Sequence, residues 1–301
     1  MPAAALPVAS PQPRRSLIFV PGNKPEMFPK ALATGADIVC IDLEDAIAPP
    51  HKAEARAKTL ALFEAPHPGR DGVECVVRVN CLRSPEGIAD VHALLERRPG
   101  PPALMMPKVK TPDEVRLLDD LLSSRALATR LHVIIETNDG LAACYEIARA
   151  SARIDALLFG AVDMAAELRT RVSWETLLYT RSRLVHAAAG AGIDLIDVPF
   201  LDLNDGEGLR REAEACAVLG FTGKGAIHPK QIAAINAAFS PTPEAVERAR
   251  RIIRAFEEGD SGLVVVDGTL IEKPVLRTMY RIVAIAERTR SLSAGSSAPR
   301  G

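Results

Sequence analysis

Residues 131 to 163 hold two apolar runs, each ending in a carboxylate, with a helix-like segment between them. Leu131-His132-Val133-Ile134-Ile135-Glu136-Thr137 reads as a buried strand with Glu136 at its C-terminal end. Ala156-Leu157-Leu158-Phe159-Gly160-Ala161-Val162-Asp163 repeats the arrangement, with Asp163 after a glycine. Asn138 to Ala152 has the Asn/Asp/Gly start and the Ala-rich body of a helix. Strand, helix and strand in this order form a βαβ unit, so both acids emerge on the same edge of a parallel sheet. A hard divalent cation is the obvious reason for two acids to surface together. Two solvated strand-end acids are the alternative for either residue alone.

The same pattern recurs along the chain. Strands are expected at Ser16–Gly22, Ala36–Asp45, Val73–Asn80, Ala103–Val109, Leu131–Thr137, Asp155–Asp163, Ile193–Pro199 and Phe221–His228, with helical segments between them. Most are continuous apolar runs rich in Val and Ile, as parallel strands covered on both faces require. This repeat matches a (β/α)₈ TIM barrel, an α/β fold of about 250 residues. A doubly wound open sheet would gather its polar residues at one switch point. Here they sit at every strand C-terminus: Pro21 to Lys24, Asp42 to Asp45, Arg78 to Asn80, Pro107-Lys108, Glu136-Thr137, Asp163, Asp197, and Lys224 with His228. In a barrel all of them would surround one mouth.

After Ile235 the pattern changes. Pro241 to Glu244 starts a helix running over Ala245 to Glu258. Leu263-Val264-Val265-Val266, Asp267-Gly268 and Thr269-Leu270-Ile271 read as a hairpin with a two-residue turn. Pro274 opens a last helix to about Arg290. The expected organisation is a loose tail over 1–14, a catalytic barrel over 15–240, a C-terminal appendage over 241–290 that serves as a lid, and a disordered tail over 291–301.

Composition narrows the function. A net charge of −1 over 301 residues offers no basic excess for nucleic acid. No apolar run approaches the ~20 residues of a membrane span. The five cysteines form no CxxC pair, and Cys40, Cys75 and Cys144 lie in apolar runs, which fits reduced thiols in a cytoplasmic protein. Cys81 lies near a strand end without an apparent partner for nucleophilic work. His228 is expected to be a packed, hydrogen-bonded residue and not a base.

Glu136 and Asp163 alone would leave a six-coordinate Mg²⁺ open to substrate oxygens and water. No Cys/His cluster argues for zinc, and GxxxxGK[ST] is absent. Arg78 adds a permanent planar cation suited to a carboxylate or a developing enolate oxygen. Metal plus guanidinium describes carbon–carbon bond chemistry at a carbonyl.

Seven segments, in order, carry a resemblance: Arg15-Ser16-Leu17-Ile18-Phe19-Val20-Pro21-Gly22, Ile41-Asp42-Leu43-Glu44-Asp45-Ala46, Arg78-Val79-Asn80, Pro107-Lys108-Val109, Ile135-Glu136-Thr137, Gly160-Ala161-Val162-Asp163 and Gly223-Lys224-Gly225-Ala226-Ile227-His228-Pro229. The chain resembles the HpcH/HpaI aldolase/citrate lyase family from about Arg15 to Arg290. Within it, the chain is similar to the citrate lyase β-subunit-like branch, which includes malyl-CoA and citramalyl-CoA lyases.

The resemblance implies Glu136 and Asp163 as ligands of Mg²⁺, with Mn²⁺ as a substitute. It implies that Arg78 holds the enolate or thioester oxygen and that backbone N–H groups of Ala161, Val162 and Asp163 receive an α-keto acid carboxylate. Phe19 belongs to the same substrate pocket. Lys24, Lys52 and Arg56 are then placed to meet the phosphates of a CoA thioester. Of Glu44 and Asp45, one would order water near the metal and the other would fix Arg78. Glu272 stands where relatives carry an Asp that acts from the adjacent subunit, a change of roughly one bond length, and misplacement of about 1 Å is costly in catalysis. Val162 is apolar where relatives often carry a polar residue. The implied reaction is reversible cleavage of malyl-CoA, citramalyl-CoA or citryl-CoA in a homotrimer or hexamer. The alternatives are a pyruvate-type hydroxy-keto acid aldolase, a citrate lyase β subunit working in an acyl-carrier-protein complex, and a catalytically silent binder.

Overall fold

The computed structural model describes residues 13–64, 72–97, 99–259 and 262–296. Most of the expected N-terminal tail, and the C-terminal residues 297–301, lie outside these. The chain divides into two compact units, one spanning Arg14–Phe239 and the other holding the C-terminal residues from Ser240 onward.

The first unit is a closed barrel of eight parallel strands in sequential order. They are β1 (Ser16–Pro21), β2 (Ile38–Asp42), β3 (Glu74–Arg78), β4 (Ala103–Met106), β5 (Arg130–Ile135), β6 (Ile154–Phe159), β7 (Asp194–Asp197) and β8 (Gly223–Ala226), with β8 pairing back onto β1. Alternation along the strands sorts the apolar residues into two layers. Leu17, Ile38, Cys40, Val76, Met105, Ile134, Leu158 and Ile196 fill the interior with Phe19 packed against them. Val39, Ile41, Val77, Leu104, Val133 and Leu157 face outward to the helices. Both faces of the strands are therefore covered, which is why their sequences run continuously apolar.

Each strand ends short of its expected limit, because the polar residues that follow belong to loops. β6 stops at Phe159, so Asp163 is not a strand-end residue as expected; it lies in the first turn of the helix Ala161–Glu167. The helix expected over Asn138 to Ala152 is broken at Ala143 into Asn138–Ala142 and Cys144–Ile147. Thr137 opens the first piece by accepting a hydrogen bond from the Gly140 N–H at 3.0 Å, so the residue after Glu136 fixes the turn out of β5.

Parity corrects the list of mouth residues. Ile196 and Gly225 point inward, so Asp197 and Lys224 point outward into the helical layer. There the fully buried Lys224 Nζ donates to Asp197 Oδ2 at 2.5 Å and to Glu212 Oε1 at 2.6 Å. Arg181, from the helix Trp174–Ala191, donates to Asp197 Oδ1 at 3.2 Å and lies over the rings of Phe159 and Trp174. His228 lies beyond the end of β8 and is exposed rather than packed; its Nδ1 accepts from the Lys230 N–H at 3.1 Å.

The floor of the barrel is charged. Arg14, expected in the loose tail, instead donates from Nε to Glu74 at 2.6 Å and from Nη1 to Asp194 at 3.0 Å. It also lies 3.2 Å from Asp155, which pairs with Arg130. The fully buried His132 places Nε2 at 2.9 Å from Glu74 Oε1.

The second unit packs Ala249, Ile252 and Ile253 of the helix Pro243–Glu258 with Val266, Ile271 and Met279. Its hairpin joins β9 (Leu263–Val266) and β10 (Thr269–Glu272). Asp267 and Gly268 both have positive φ, 50° and 73°, as a two-residue turn matched to strand twist demands. The last helix, Val275–Ser296, passes the expected end near Arg290, since no proline interrupts it there.

Candidate active site

The C-terminal ends of β1 to β6 converge on one charged cluster. Register brings the first pair together: Asp42 of β2 lies beside Arg78 of β3. The guanidinium grips Asp42 with two parallel hydrogen bonds, Nε to Oδ1 at 2.7 Å and Nη2 to Oδ2 at 2.6 Å. Its Cζ sits 5.1 Å from the centre of the Phe19 ring. Nη1 turns towards Glu44 Oε2 at 3.0 Å and Asp45 Oδ2 at 3.5 Å. Asp42, given no role by the sequence, is thus the principal anchor of Arg78, ahead of Glu44 and Asp45. Burial alone would lower the pKa of Arg78, but Asp42 and then Glu44 raise it, so the cation is permanent.

A second cation closes the cluster from the other side. Lys108, in the loop after β4, pairs through Nζ with Glu44 and lies 3.4 Å from Asp45 Oδ1. Glu44 is therefore held between two cations. Burial raises its carboxyl above the ordinary value, Arg78 and Lys108 oppose that only in part, and the charge of Asp45 adds to the rise. Its Oε2 is buried without a well-aligned hydrogen bond. Lys108 has a left-handed backbone, φ 54°, a conformation that costs a non-glycine residue about 1–2 kcal/mol.

Glu136 lies next in the ring and is 4 % exposed. Its Oε1 accepts from the Lys108 backbone N–H at 2.8 Å. Its Oε2 fits the space left by the missing side chain of Gly160, where a Cβ would come within 2.3 Å. Burial, then the charge of Asp163, then that of Glu44, push the Glu136 carboxyl up to about 8. The mouth thus carries more negative charge at Glu136 and Asp163 than its own cations balance.

Two carboxylates and no histidine or cysteine make a hard, oxygen-only donor set. Among the described residues no cluster of three or more metal-type side chains occurs. The pair therefore fits an ion that takes its remaining ligands from water and substrate, as Mg²⁺ does, and does not fit a closed zinc site.

Residues 15–229 match the family described as HpcH/HpaI aldolase/citrate lyase. The chain belongs to that family. Among its relatives, the mitochondrial citramalyl-CoA lyase of Homo sapiens is 35 % identical over 293 residues, covering 91 % of this chain and 86 % of that protein. The citrate lyase subunit beta of Leuconostoc mesenteroides subsp. cremoris is 33 % identical over 285 residues, covering 91 % and 93 %. Among solved structures, protein CitE of Mycobacterium tuberculosis, in complex with magnesium, acetoacetate and coenzyme A, is 29 % identical. It superposes with a TM-score of 0.73 and covers 90 % of this chain and 97 % of that one.

In this member of the HpcH/HpaI family, the structure brings Phe19, Glu44, Asp45, Arg78 and Glu136 to one rim. Ala161, Val162 and Asp163 form the first helical turn beyond Gly160, whose N–H groups have no partner within the helix. Val162 is 49 % exposed. The three cations expected to meet phosphates differ. Lys24 is exposed and has no ion-pair partner among the described residues. Arg56 donates from Nε to the buried Asp90 at 2.6 Å. Lys52 does not present a free ammonium, because its three N–H groups go to Leu43 O at 2.9 Å, Glu44 O at 2.6 Å and Asn80 Oδ1 at 2.6 Å. Glu272 ends β10 in the second unit, where it is exposed. Sequence reasoning placed Asp42 and Lys108 at the mouth but gave neither a partner. The left-handed backbone of Lys108 leaves no mark in residue types.

Proposed function

We propose that this chain is a Mg²⁺-dependent carbon–carbon lyase that reversibly cleaves a β-hydroxyacyl-CoA into an acyl-CoA and an α-keto acid. The observation that carries this reading is the buried Glu136 carboxylate, destabilised by Asp163, in one charged ring with Arg78. Glu136 and Asp163 hold the Mg²⁺, with Mn²⁺ able to replace it. The ion supplies Lewis-acid polarisation of the hydroxy-acid oxygens. Arg78, held by Asp42, receives the thioester oxygen as it becomes an enolate oxygen. The first-turn N–H groups of Ala161 to Asp163 receive the carboxylate of the keto-acid half.

The hydroxyl gives its proton to the Glu272 carboxylate of a neighbouring copy, its electrons form the keto-acid carbonyl, and the Cα–Cβ bond breaks. Its electron pair stays with the acyl-CoA as an enolate, which a proton then quenches at carbon. We assign that proton transfer to Glu272 of a neighbouring copy in a homotrimer or hexamer, with residues 241–290 serving as the lid. Phe19 lines the pocket, and Lys24 and Arg56 meet the phosphates of CoA. Nucleic acid is no partner of a chain with net charge −1. Among the described residues no disulfide joins any of the five cysteines, which supports a reducing compartment such as the cytoplasm. Among the described residues no helix is long and apolar enough to cross a membrane.

Citramalyl-CoA is the first substrate to test, with malyl-CoA and citryl-CoA beside it. Purified protein should cleave at least one of them with Mg²⁺ and stop with a chelator. Absence of metal-dependent cleavage of all three would exclude the proposal. Activity appearing only after addition of an acyl-carrier partner would favour the citrate lyase β-subunit reading. Mixing Glu272→Ala with Arg78→Ala protein should restore activity if the two residues act across copies.

A further inference from the structure

The backbone at Lys108 is left-handed, φ 54°, a conformation that suits glycine, yet a lysine stands there. The backbone that follows it is held in place. Pro107 precedes it, and Val109, which follows, is 1 % exposed. The Val109 carbonyl lies so close to Gly140 that a Cβ there would come within 2.3 Å of it. In this conformation the Lys108 N–H meets Glu136 Oε1 at 2.8 Å, while Nζ reaches Glu44 and lies 3.4 Å from Asp45. With Gly160 receiving Oε2, the carboxylate is held at both oxygens.

We infer that Lys108 is a positioning residue with two separable functions. Its left-handed backbone orients Glu136 to ligate a metal, and its ammonium shares Glu44 and Asp45 with Nη1 of Arg78, so that the two carboxylates do not fall to Arg78 alone. The inference rests on the reading of Glu136 as a Mg²⁺ ligand. A right-handed residue would turn its N–H away from Oε1 and free the carboxylate to leave its ligating orientation. Glycine would keep the N–H in place but leave Glu44 and Asp45 to Nη1 of Arg78, at 3.0 and 3.5 Å. A strained lysine meets both needs.

The test uses the full chain and Mg²⁺ alone, measured by calorimetry without substrate. Lys108→Gly and Lys108→Asn accept the left-handed backbone, Lys108→Ala carries about the same penalty as the parent lysine, and the β-branched Lys108→Val resists it most. All four lack the ammonium, so their differences report the backbone only. Gly, Asn and Ala should bind Mg²⁺ within about threefold of the parent, and Val about 10–100-fold more weakly, the usual cost of losing a group that orients a ligand. With citramalyl-CoA at saturating Mg²⁺, Lys108→Gly should lose kcat about tenfold or more, and Lys108→Arg should recover part of that. Equal Mg²⁺ affinity across the four variants, or a parental kcat in Lys108→Gly, would overturn the inference. Should Val fail to fold, Lys108→Thr, β-branched and more polar, takes its place. If the parent binds no Mg²⁺, or Glu136→Gln binds it as tightly as the parent, the underlying reading fails instead and the inference falls with it.

Discussion

The barrel carries buried charge at both ends, and the two clusters differ in whether their charges cancel. At the floor, Arg14 reaches Glu74, Asp194 and Asp155, Arg130 pairs with Asp155, and His132 meets Glu74. Burial would raise the Glu74 carboxyl, but His132 and then Arg14 hold it down to about 2. At the mouth, Glu136 is more deeply buried, and burial with the charges of Asp163 and Glu44 pushes its carboxyl up to about 8. The same residue type in the same barrel moves in opposite directions according to its neighbours. A cluster that neutralises itself holds the fold together; one that does not is waiting for a cation.

Substitutions that separate the ends test this contrast. The largest effect is expected at the mouth. Glu136→Gln or Asp163→Asn should reduce Mg²⁺-dependent cleavage more than about 100-fold, beyond the usual 10–100-fold cost of removing a group that only orients a ligand. Unfolding should occur at an unchanged or higher denaturant concentration, because the crowding of Glu136 against Asp163 and Glu44 has been relieved. A parental rate in either variant would dissolve the distinction between the ends.

Arg78→Lys should follow, with kcat down by about 100-fold, the scale of losing one oxyanion donor. Lysine keeps the charge but cannot grip Asp42 through two parallel bonds. Stopped-flow or steady-state rates at saturating Mg²⁺ would read this.

At the floor the order of effects should invert. Arg14→Met leaves Glu74 and Asp194 short of a cation and should cost about 3 kcal/mol in urea unfolding, the lower end for a broken buried pair. Mg²⁺ affinity should not change. If Mg²⁺ binding weakened instead, the two ends would be coupled and the comparison would fail.

The smallest effect is in acid. Glu74 has a folded pKa of about 2 against 4.5 unfolded, so it binds fewer protons folded than unfolded between those values. Its contribution to stability is complete above pH 4.5 and is lost as pH falls towards 2. Glu74→Gln should flatten that part of the stability curve, and denaturant midpoints at pH 5, 4 and 3 would show it.

Much of the fold was legible because parallel strands covered on both faces must be continuously apolar, and eight such runs closed into the barrel. Glu136 and Asp163 were legible as a pair through the βαβ crossover between them. What was misread has identifiable causes. Asp197 is the last residue of β7 and Lys224 lies inside β8, and alternation turns both outward; counting parity from Ile196 and Ala226 would have shown it. Asp42 lay hidden inside an acidic run, since its partner Arg78 is adjacent only through strand register. Arg14 sat in a Pro/Ala-rich stretch, and its partners come from β3, β6 and β7, contacts that no local pattern encodes. Lys52 reads in the sequence as a cation placed to meet CoA phosphates, yet its ammonium ties together the loops after β2 and β3.

Calorimetric titration of Mg²⁺ into the substrate-free protein at pH 7, in two buffers of different ionisation enthalpy, reads the unbalanced mouth most directly. With its carboxyl pushed up to about 8, Glu136 is largely protonated at that pH. The expected result is one ion bound per chain with close to one proton released, and neither binding nor release in Glu136→Gln. Binding without proton release, or binding that survives Glu136→Gln, would contradict it.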